Sequence, residues 1–463
     1  MRWRCVGVAL AAGGSRFSRG GAAGRSTLAG VLSAADLDTI DIHSLDLYAS
    51  RGYPWAEWEL LRREAPVYWY DRPGIEPFWA VTRYADVHAI GCDAATFINS
   101  GRRLRLHSIE HEERMWASKA RRDQLYGWDP AEPLDLVFMD QPRHTAFRLL
   151  TARAFTPARC RRMAASLAGL AARFVDEFEQ SLDRAQGEPI DLVRALSFKL
   201  PLAAICDLMG VPTDDYLDIW RWTDSVFDTE SMEWALPGED RGSMRRRLRT
   251  EYFEYYEQLI AAKRAQPADD VASHLINGEV DGQRLTQQQL HGYLNLLILA
   301  GNETTRNATT KGIVTLIENT EQLDLLCSDP QRWTDPAVEE ILRWTSPVLQ
   351  FARTAAHDTV LNGMSIRAGD VVGVWYPSAN RDADAFEGPD RFDITREPNY
   401  HLAFGHGPHF CLGANLARWE LRAMVSELAR RGVLRRLEVV GPPEITKDLH
   451  VSVVKRQLVR AVG

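Results

Sequence analysis

The sequence predicts a mainly α-helical protein that carries small β-sheets. A long stretch of apolar periodicity runs from about Gln287 to Glu318 and predicts a central helix on the order of 45 Å long. A second helix-forming run occupies residues 414–421, directly after a glycine-rich loop. Short paired strands are indicated at residues 66–69 and 78–81, which are rich in aromatic and β-branched side chains. Because the strand signals are short and few, the sheets should be minor parts of the fold.

The N-terminal segment differs in composition from the rest of the chain. Residues 1–35 contain five arginines and no acidic residue, with a short apolar run at residues 5–12. This composition superficially resembles a transit or export leader, but its apolar core is short. We therefore expect a disordered N-terminal extension over residues 1–35 and a single domain over residues 36–463. The domain should begin with an amphipathic helix around Trp55 and Trp58.

The composition excludes several classes of protein. The 463 residues are 45% hydrophobic and 25% charged, which is typical of a globular protein with an ample core. A formal net charge of −8 argues against a nucleic-acid partner. No stretch holds the roughly 20 apolar residues that a membrane span requires. The six cysteines lack paired spacing, as is typical of a reducing compartment, so we expect a cytoplasmic protein.

The long helix carries an acid and an alcohol in its middle. Thr286 and Gln289 predict a capping box at the start of this helix. Glu303 and Thr304 follow within the segment Ala-Gly-Asn-Glu-Thr-Thr at residues 300–305. Burying such a pair costs free energy, which favours a functional role. The alternative is that Thr304 bonds to the carbonyl oxygen four residues earlier and that Glu303 belongs to a structural ion pair.

Residues 404–413 read Phe-Gly-His-Gly-Pro-His-Phe-Cys-Leu-Gly and are the most informative segment of the chain. Gly405, Gly407 and Gly413 permit backbone geometries closed to other residues, so that N–H groups can turn toward a sulfur atom. Cys411 stands before a helix N-terminus, where the helix dipole and the first-turn N–H groups favour a thiolate. The pattern therefore predicts a buried thiolate that ligates a metal. A merely structural cysteine would not need three glycines around it.

This loop resembles the haem-binding loop of the cytochrome P450 superfamily, in particular of its soluble bacterial members. The resemblance covers roughly residues 45–455 and implies the cytochrome P450 fold, with haem b buried between the long central helix and the helix after Cys411. Cys411 would then be the axial ligand of the haem iron. His144, Arg148, Arg353 and His409 match the family's partners of the haem propionates. With them, the haem-binding residues that the resemblance implies are Phe404, Cys411 and Gly413.

The resemblance also implies roles for the remaining motifs. Thr304 would hydrogen-bond dioxygen, and Glu303 would pass protons from solvent. Glu340 and Arg343, three residues apart on one helical face, would form a buried structural network with Arg391. The substrate pocket would have apolar walls, which we expect at Leu296, Leu299, Ala300, Val348, Leu349 and Phe351.

The family resemblance predicts a haem-thiolate monooxygenase that hydroxylates or epoxidises a lipophilic small molecule with O2. The substrate would be a terpenoid, steroid, branched lipid or polyketide-like natural product. The chain has no flavin or iron–sulfur signature, so electrons from NAD(P)H would arrive through a ferredoxin and its reductase, attracted by basic residues. Two alternatives remain open: a peroxide-driven or oxidative-coupling enzyme of the same fold, and a non-catalytic haem sensor.

Overall fold

The structure is a computed structural model that describes residues 32–101, 103–227 and 230–462. Most of the extension predicted at residues 1–35 lies outside these described residues, and a short 3-10 helix, Ala34–Thr39, precedes the first α-helix. The α-helices of the described residues are α1 (Leu45–Arg51), α2 (Trp55–Glu64), α3 (Tyr84–Cys92), α4 (Ile109–Tyr126), α5 (Arg143–Ala152), α6 (Pro157–Arg162), α7 (Ala164–Ala185), α8 (Lys199–Met209), α9 (Tyr216–Phe227), α10 (Arg241–Ala265), α11 (Val271–Ile276), α12 (Gln287–Glu318), α13 (Thr320–Ser328), α14 (Pro330–Thr345), α15 (Tyr376–Ala379) and α16 (Ala414–Arg431).

The β-strands are short and belong to small sheets. They are β1 (Val67–Tyr70), β2 (Phe78–Val81), β3 (Phe97–Ile98), β4 (Ile190–Asp191), β5 (Glu279–Val280), β6 (Gln283–Arg284), β7 (Gln350–Ala355), β8 (Thr359–Leu361), β9 (Met364–Ile366), β10 (Val371–Trp375), β11 (Leu437–Ile445) and β12 (Val454–Ala461). The largest sheet has the order β1-β2-β10-β7-β3, in which only β2 and β10 run parallel. A second sheet has the order β11-β12-β4. The predicted pairing of residues 66–69 with 78–81 is confirmed by the antiparallel register of β1 and β2.

Helix α12 has the bounds that its apolar periodicity predicts, and its Thr286–Gln289 capping box is present. It packs against α8, α14 and α16. Its N-terminal half buries leucines, whereas its C-terminal half buries polar side chains that include Thr309 and Thr310. These two hydroxyls donate to the carbonyl oxygens four residues earlier, so the helix itself satisfies them.

The main apolar core joins the long helices of the C-terminal half to α7 and α8. A separate aromatic cluster surrounds Trp58 of α2 and Trp375 of β10, whose ring centroids lie 5.5 Å apart. The amphipathic helix expected around Trp55 and Trp58 is therefore present. Among the described residues, no helix is both long and apolar enough to cross a bilayer.

Helix α3 and the loop before α16 touch backbone to backbone. A Cβ atom built on Gly407 would lie 1.8 Å from the carbonyl oxygen of Gly91, so only glycine fits at position 407. Gly405 and Gly407 have φ angles of +69° and +75°, which confirms the need for glycine at both positions. Gly413 differs, because its φ of −84° is open to any residue and it serves as the N-cap of α16.

Candidate active site

Cys411 lies immediately before the N-terminus of α16, and its N–H donates to the carbonyl oxygen of Phe404 at 3.0 Å. Desolvation by the surrounding protein atoms raises the pKa of the Cys411 thiol above its ordinary value, yet the residue is exposed, so the burial that the sequence predicts for this cysteine is not observed. The N–H groups of Gly413 and Ala414 bond to the sulfur and oppose this shift of the pKa, as does the positive charge of Arg148. The expected donors are present, but they do not outweigh this desolvation. A thiolate is therefore expected here when a metal ion replaces the proton.

Four basic side chains lie around Cys411. His144 and Arg148 stand one turn apart on α5. Arg353 lies on β7, and His409 precedes the cysteine by two residues. The imidazole rings of His144 and His409 are only 4.0 Å apart between centroids. The structure thus brings together the four residues that the sequence predicts as partners of the haem propionates.

The basic cluster has one acidic neighbour, Asp140, whose negative charge partly opposes the lowering of the pKa values of His144 and Arg353. Burial and the positive charge of Arg148 lower the pKa of His144 to about 4, and burial with three basic neighbours lowers the pKa of His409 to about 2. Burial also lowers the pKa values of the Arg148 and Arg353 guanidinium groups. The Nδ1 atom of His144 is buried without a hydrogen-bond partner. In the described part of the chain, none of the four forms an ion pair with a carboxylate. Such a donor set, beside a cysteine with N–H donors, fits the two propionates and the iron of haem.

In the middle of helix α12, Ala300 is exposed and Thr304 is half-buried. The Thr304 hydroxyl donates to the carbonyl oxygen of Ala300 at 2.9 Å. Glu303 is buried, and its Oε1 lies 2.6 Å from Nη2 of Arg306, which also faces Asp224 of α9 at 3.6 Å. Burial raises the pKa of Glu303 to about 7, although Arg306 opposes the shift. Both structural alternatives weighed from the sequence are thus observed, and the proton relay stays a prediction.

A buried network surrounds Glu340 on α14. Arg343 donates to both oxygens of Glu340, at 2.7 and 2.8 Å, and both side chains are fully buried. The prediction that Arg391 completes this network is wrong. Its side chain is 74% exposed and pairs with Asp393, while Nε of Arg396 lies 3.2 Å from Glu340. Arg391 takes part only through its carbonyl oxygen, which accepts from Arg343 and Arg396.

The expected pocket residues do not all present accessible surface. Leu349 is fully buried in the aromatic cluster of Trp58 and Trp375, so its assignment to the pocket is wrong. Val348 and Leu349 directly precede β7, and neighbouring residues of an extended chain face opposite sides. The sequence alone does not say which of the two faces the pocket. The other five expected residues are half-buried or exposed, and their role stays a prediction: Leu296, Leu299, Ala300, Val348 and Phe351.

The structure also shows a cluster of polar residues next to Phe351 that the sequence does not predict. The ring of His450 packs edge-on against Phe351 at 4.6 Å, and burial lowers the pKa of His450 well below its ordinary value. Asp448 is close by, and burial raises the pKa of its carboxyl group. Nε of Arg105 is buried without a hydrogen-bond partner. These residues come from distant, irregular segments that carry no readable motif, so no local pattern could have revealed them.

Several known proteins are similar to this chain in both sequence and fold. A sequence profile of cytochrome P450 matches residues 332–457. The chain is 38% identical over 443 residues to cytochrome P450 126 of Mycobacterium tuberculosis (strain ATCC 25618 / H37Rv), and the match covers 93% of this chain and 99% of that one. The chain belongs to the cytochrome P450 family.

Other members of the cytochrome P450 family extend the comparison. The chain is 36% identical over 403 residues to a methyl-branched lipid omega-hydroxylase of Mycobacterium tuberculosis (strain ATCC 25618 / H37Rv), covering 86% of this chain and 88% of the relative. The solved structure of Mycobacterium marinum cytochrome P450 CYP268A2, in complex with pseudoionone, superposes with a TM-score of 0.78 at 33% identity, covering 91% of this chain and 98% of that chain. These matches confirm the mainly α-helical P450 fold. The protein is a cytochrome P450 monooxygenase, with the haem-dependent O2 chemistry of that family.

Proposed function

We propose that this P450 holds haem b through Cys411 and inserts one oxygen atom from O2 into a C–H or C=C bond of a lipophilic small molecule. The proposal is carried by one observation: a cysteine with N–H donors lies beside four basic side chains, none of which forms an ion pair with a carboxylate of the described residues. When bound, the haem supplies the O2 chemistry, and a thiolate ligand favours O–O cleavage. The protein itself binds this group, neutralises the negative charges of its propionates and fixes its orientation.

Each residue of the site has a distinct task in the proposal. His144, Arg148, Arg353 and His409 bind the propionates and so fix the orientation of the porphyrin. The N–H groups of Gly413 and Ala414 stabilise negative charge on the sulfur, and Phe404 holds the Cys411 backbone through its carbonyl oxygen. Thr304 presents a hydroxyl to the reacting oxygen, and Glu303 holds a proton near neutral pH because its pKa is raised.

The substrate is proposed to be an extended, lipophilic molecule such as a branched lipid or a terpenoid. The half-buried apolar side chains of α12 and β7 support this, since they offer hydrophobic contact to a substrate. A relative that acts on methyl-branched lipids and a solved neighbour bound to pseudoionone point to the same class. Steroid and polyketide-like substrates are the other members of this class, and titrating all four types while recording the haem absorption shift ranks them.

Electrons are proposed to come from NAD(P)H through a ferredoxin and its reductase in the cytoplasm. Arg148 of α5 donates to the carbonyl oxygen of Phe410, so α5 lies against the cysteine loop. The outer face of α5 bears a shallow apolar surface formed by Pro142, Ala146 and Leu149, and Leu149 is 65% exposed. Three exposed arginines follow, at positions 153, 161 and 162. An apolar patch on the helix that contacts the cysteine loop, followed along the chain by exposed arginines, suits a small acidic electron donor.

The proposed ligation is tested by the absorption spectrum of the reduced protein with carbon monoxide. Wild type should give the red-shifted band of a thiolate-bound haem. Cys411→Ala should lose that band, while Cys327→Ala, which changes a half-buried cysteine on α13, should keep it. A wild-type spectrum without the band, or an unchanged Cys411→Ala spectrum, contradicts the proposal.

A peroxide-driven reaction is the second candidate. The contacts of Thr304 with its own helix and of Glu303 with Arg306 favour it, because both groups already have partners. An enzyme that receives its oxygen from peroxide needs no proton relay from these residues. Comparison of turnover with O2 and reductant against turnover with peroxide separates the two candidates.

A further inference from the structure

Helix α3 and the cysteine loop bring three metal-ligating side chains together outside the haem site. His88 and Cys92 lie one turn apart on α3 and share a face of the helix. His406 comes from the loop, between the two glycines of positive φ. The ligand atoms of these three residues, here called the His–Cys–His cluster, all lie within 4.8 Å of one another.

The geometry of the cluster is close to that of a metal site. Sγ of Cys92 lies 3.8 Å from Nδ1 of His88, and the rings of His88 and His406 are 3.9 Å apart between centroids. A tetrahedral ion with bonds of about 2.3 Å to sulfur and about 2.1 Å to nitrogen needs ligand atoms roughly 3.5 Å apart. Side-chain shifts on the order of 1 Å would close the site. All three side chains are half-buried, so an ion and a water ligand can reach them.

The charge state of the cluster suits a cation. Burial lowers the pKa of His88, and burial together with His88 lowers the pKa of His406. Both imidazoles are therefore neutral at pH 7, the form in which they ligate metals. The backbone contact between Gly91 and Gly407 fixes the distance between helix and loop before any ion binds. The cluster is thus partly preorganised.

We propose that the His–Cys–His cluster binds one zinc ion, with water in the fourth position. Two imidazoles and one thiolate are a donor set that favours zinc over calcium or magnesium, which prefer oxygen. The ion would join α3 to the loop that carries Cys411. Zinc should then slow the opening of this loop and hence the loss of haem.

The test uses the haem-loaded protein, stripped with a chelator and desalted after incubation with zinc chloride. Metal analysis should find about one zinc per chain in wild type and fewer than roughly 0.3 in Cys92→Ser and in His88→Gln. Loss of a direct ligand should cost more than the 10–100-fold in affinity that is typical of changes to the partners of a ligand. Cys327→Ser is the matched control, because Cys327 is also half-buried. It should bind like wild type.

Two results overturn the proposal. One is a wild-type chain that retains no zinc after desalting. The other is equal zinc content in wild type, Cys92→Ser and His88→Gln. The haem absorption of each variant reports whether it is folded, and if Cys92→Ser does not hold haem, His88→Gln alone decides. Zinc should also slow haem transfer to an excess of apomyoglobin in wild type but not in the folded variants, and an equal effect in all of them contradicts a specific site.

Discussion

Arg396 and Glu340 form a buried ion pair, with 3.2 Å between Nε and Oε2, that ties the loop after Asp393 to helix α14. Only 7% of the Arg396 side chain and none of the Glu340 side chain is exposed. Arg396 also donates to the carbonyl oxygens of Glu387 and Gly388. The pair therefore holds a long irregular segment in place ahead of the cysteine loop.

Replacing Arg396 with alanine should destabilise the protein far more than replacing Arg391. Removing one partner of a buried pair costs about 3–5 kcal/mol when the other charge is left unpaired. The loss here should lie below that range, because Arg343 still pairs with Glu340, but above the about 0–1 kcal/mol of an exposed pair. Arg391→Ala is the matched control, since its side chain is 74% exposed. Thermal unfolding and haem content after purification measure the difference. Equal losses in both variants would show that the ion pair is not structural.

Glu303 should make stability depend on pH. Its pKa is raised from 4.5 to about 7 in the folded protein, so folding favours the protonated form. The stability it contributes is fully present below pH 4.5 and is lost as the pH rises through about 7, by up to about 3 kcal/mol. Urea unfolding of wild type and Glu303→Gln should diverge over this interval, because glutamine does not titrate. A constant difference between the two proteins at every pH would refute the shifted pKa.

Replacing Thr304 with alanine should uncouple reductant use from product. If the hydroxyl directs protons to the reacting oxygen, the product formed per NAD(P)H should fall roughly tenfold or more while peroxide accumulates. Thr304→Ser keeps the hydroxyl and should retain most of the coupling. Product and peroxide are quantified against NAD(P)H consumed. Unchanged coupling in Thr304→Ala would favour the peroxide-driven alternative.

Arg353→Leu should weaken haem retention. The guanidinium is buried beside His409, and among the described residues it contacts the Tyr376 hydroxyl and is influenced by Asp140 without forming an ion pair, so its loss should remove a propionate contact. Transfer of haem to excess apomyoglobin should accelerate about tenfold, which corresponds to about 1.4 kcal/mol. Arg367→Leu is the control because Arg367 is exposed. Identical transfer rates in the two variants would place the propionates elsewhere.

Charge reversal on the surface proposed to bind ferredoxin, which includes Leu149 and the exposed Arg153, Arg161 and Arg162, should slow reduction by ferredoxin. The double variant Arg153→Glu with Arg162→Glu should reduce the rate at low salt about tenfold or more, and raising the ionic strength should shrink the difference. Arg367→Glu, directly after β9, also reverses an exposed charge and serves as the control away from α5 for each of the two single reversals. Stopped-flow reduction measures the rate. A similar loss in the control would indicate an effect of net charge alone.

Much of the fold and the composition of the site could be predicted from the sequence, because both rest on local patterns. The bounds of α12 follow from apolar periodicity and from the Thr286–Gln289 capping box. The glycines before Cys411 mark a loop whose φ angles exclude other residues. His144 and Arg148 are spaced by one helical turn, and the structure does bring them together with Arg353 and His409.

The remaining features depend on tertiary contacts that leave no local signal. Arg391 and Arg396 lie in one irregular loop, and only the course of its backbone decides which guanidinium reaches Glu340. Leu349 faces the aromatic core instead of the pocket because of how β7 enters its sheet. The pKa of Cys411 is raised because desolvation outweighs the N–H donors, a balance that a motif cannot express.

The contact between Gly91 and Gly407 makes α3 and the cysteine loop mechanically one body. Because the backbones of Gly91 and Gly407 are in direct contact, a movement of α3 toward the loop should move the loop that carries Cys411 as well. A displacement at the N-terminal end of α3, such as one caused by a molecule binding to the neighbouring β1–β2 ribbon, would then shift the backbone that carries Cys411. A methyl group at position 91 would lie 3.1 Å from Cβ and from the carbonyl oxygen of His406, so Gly91→Ala should displace the loop that carries His406 and Cys411.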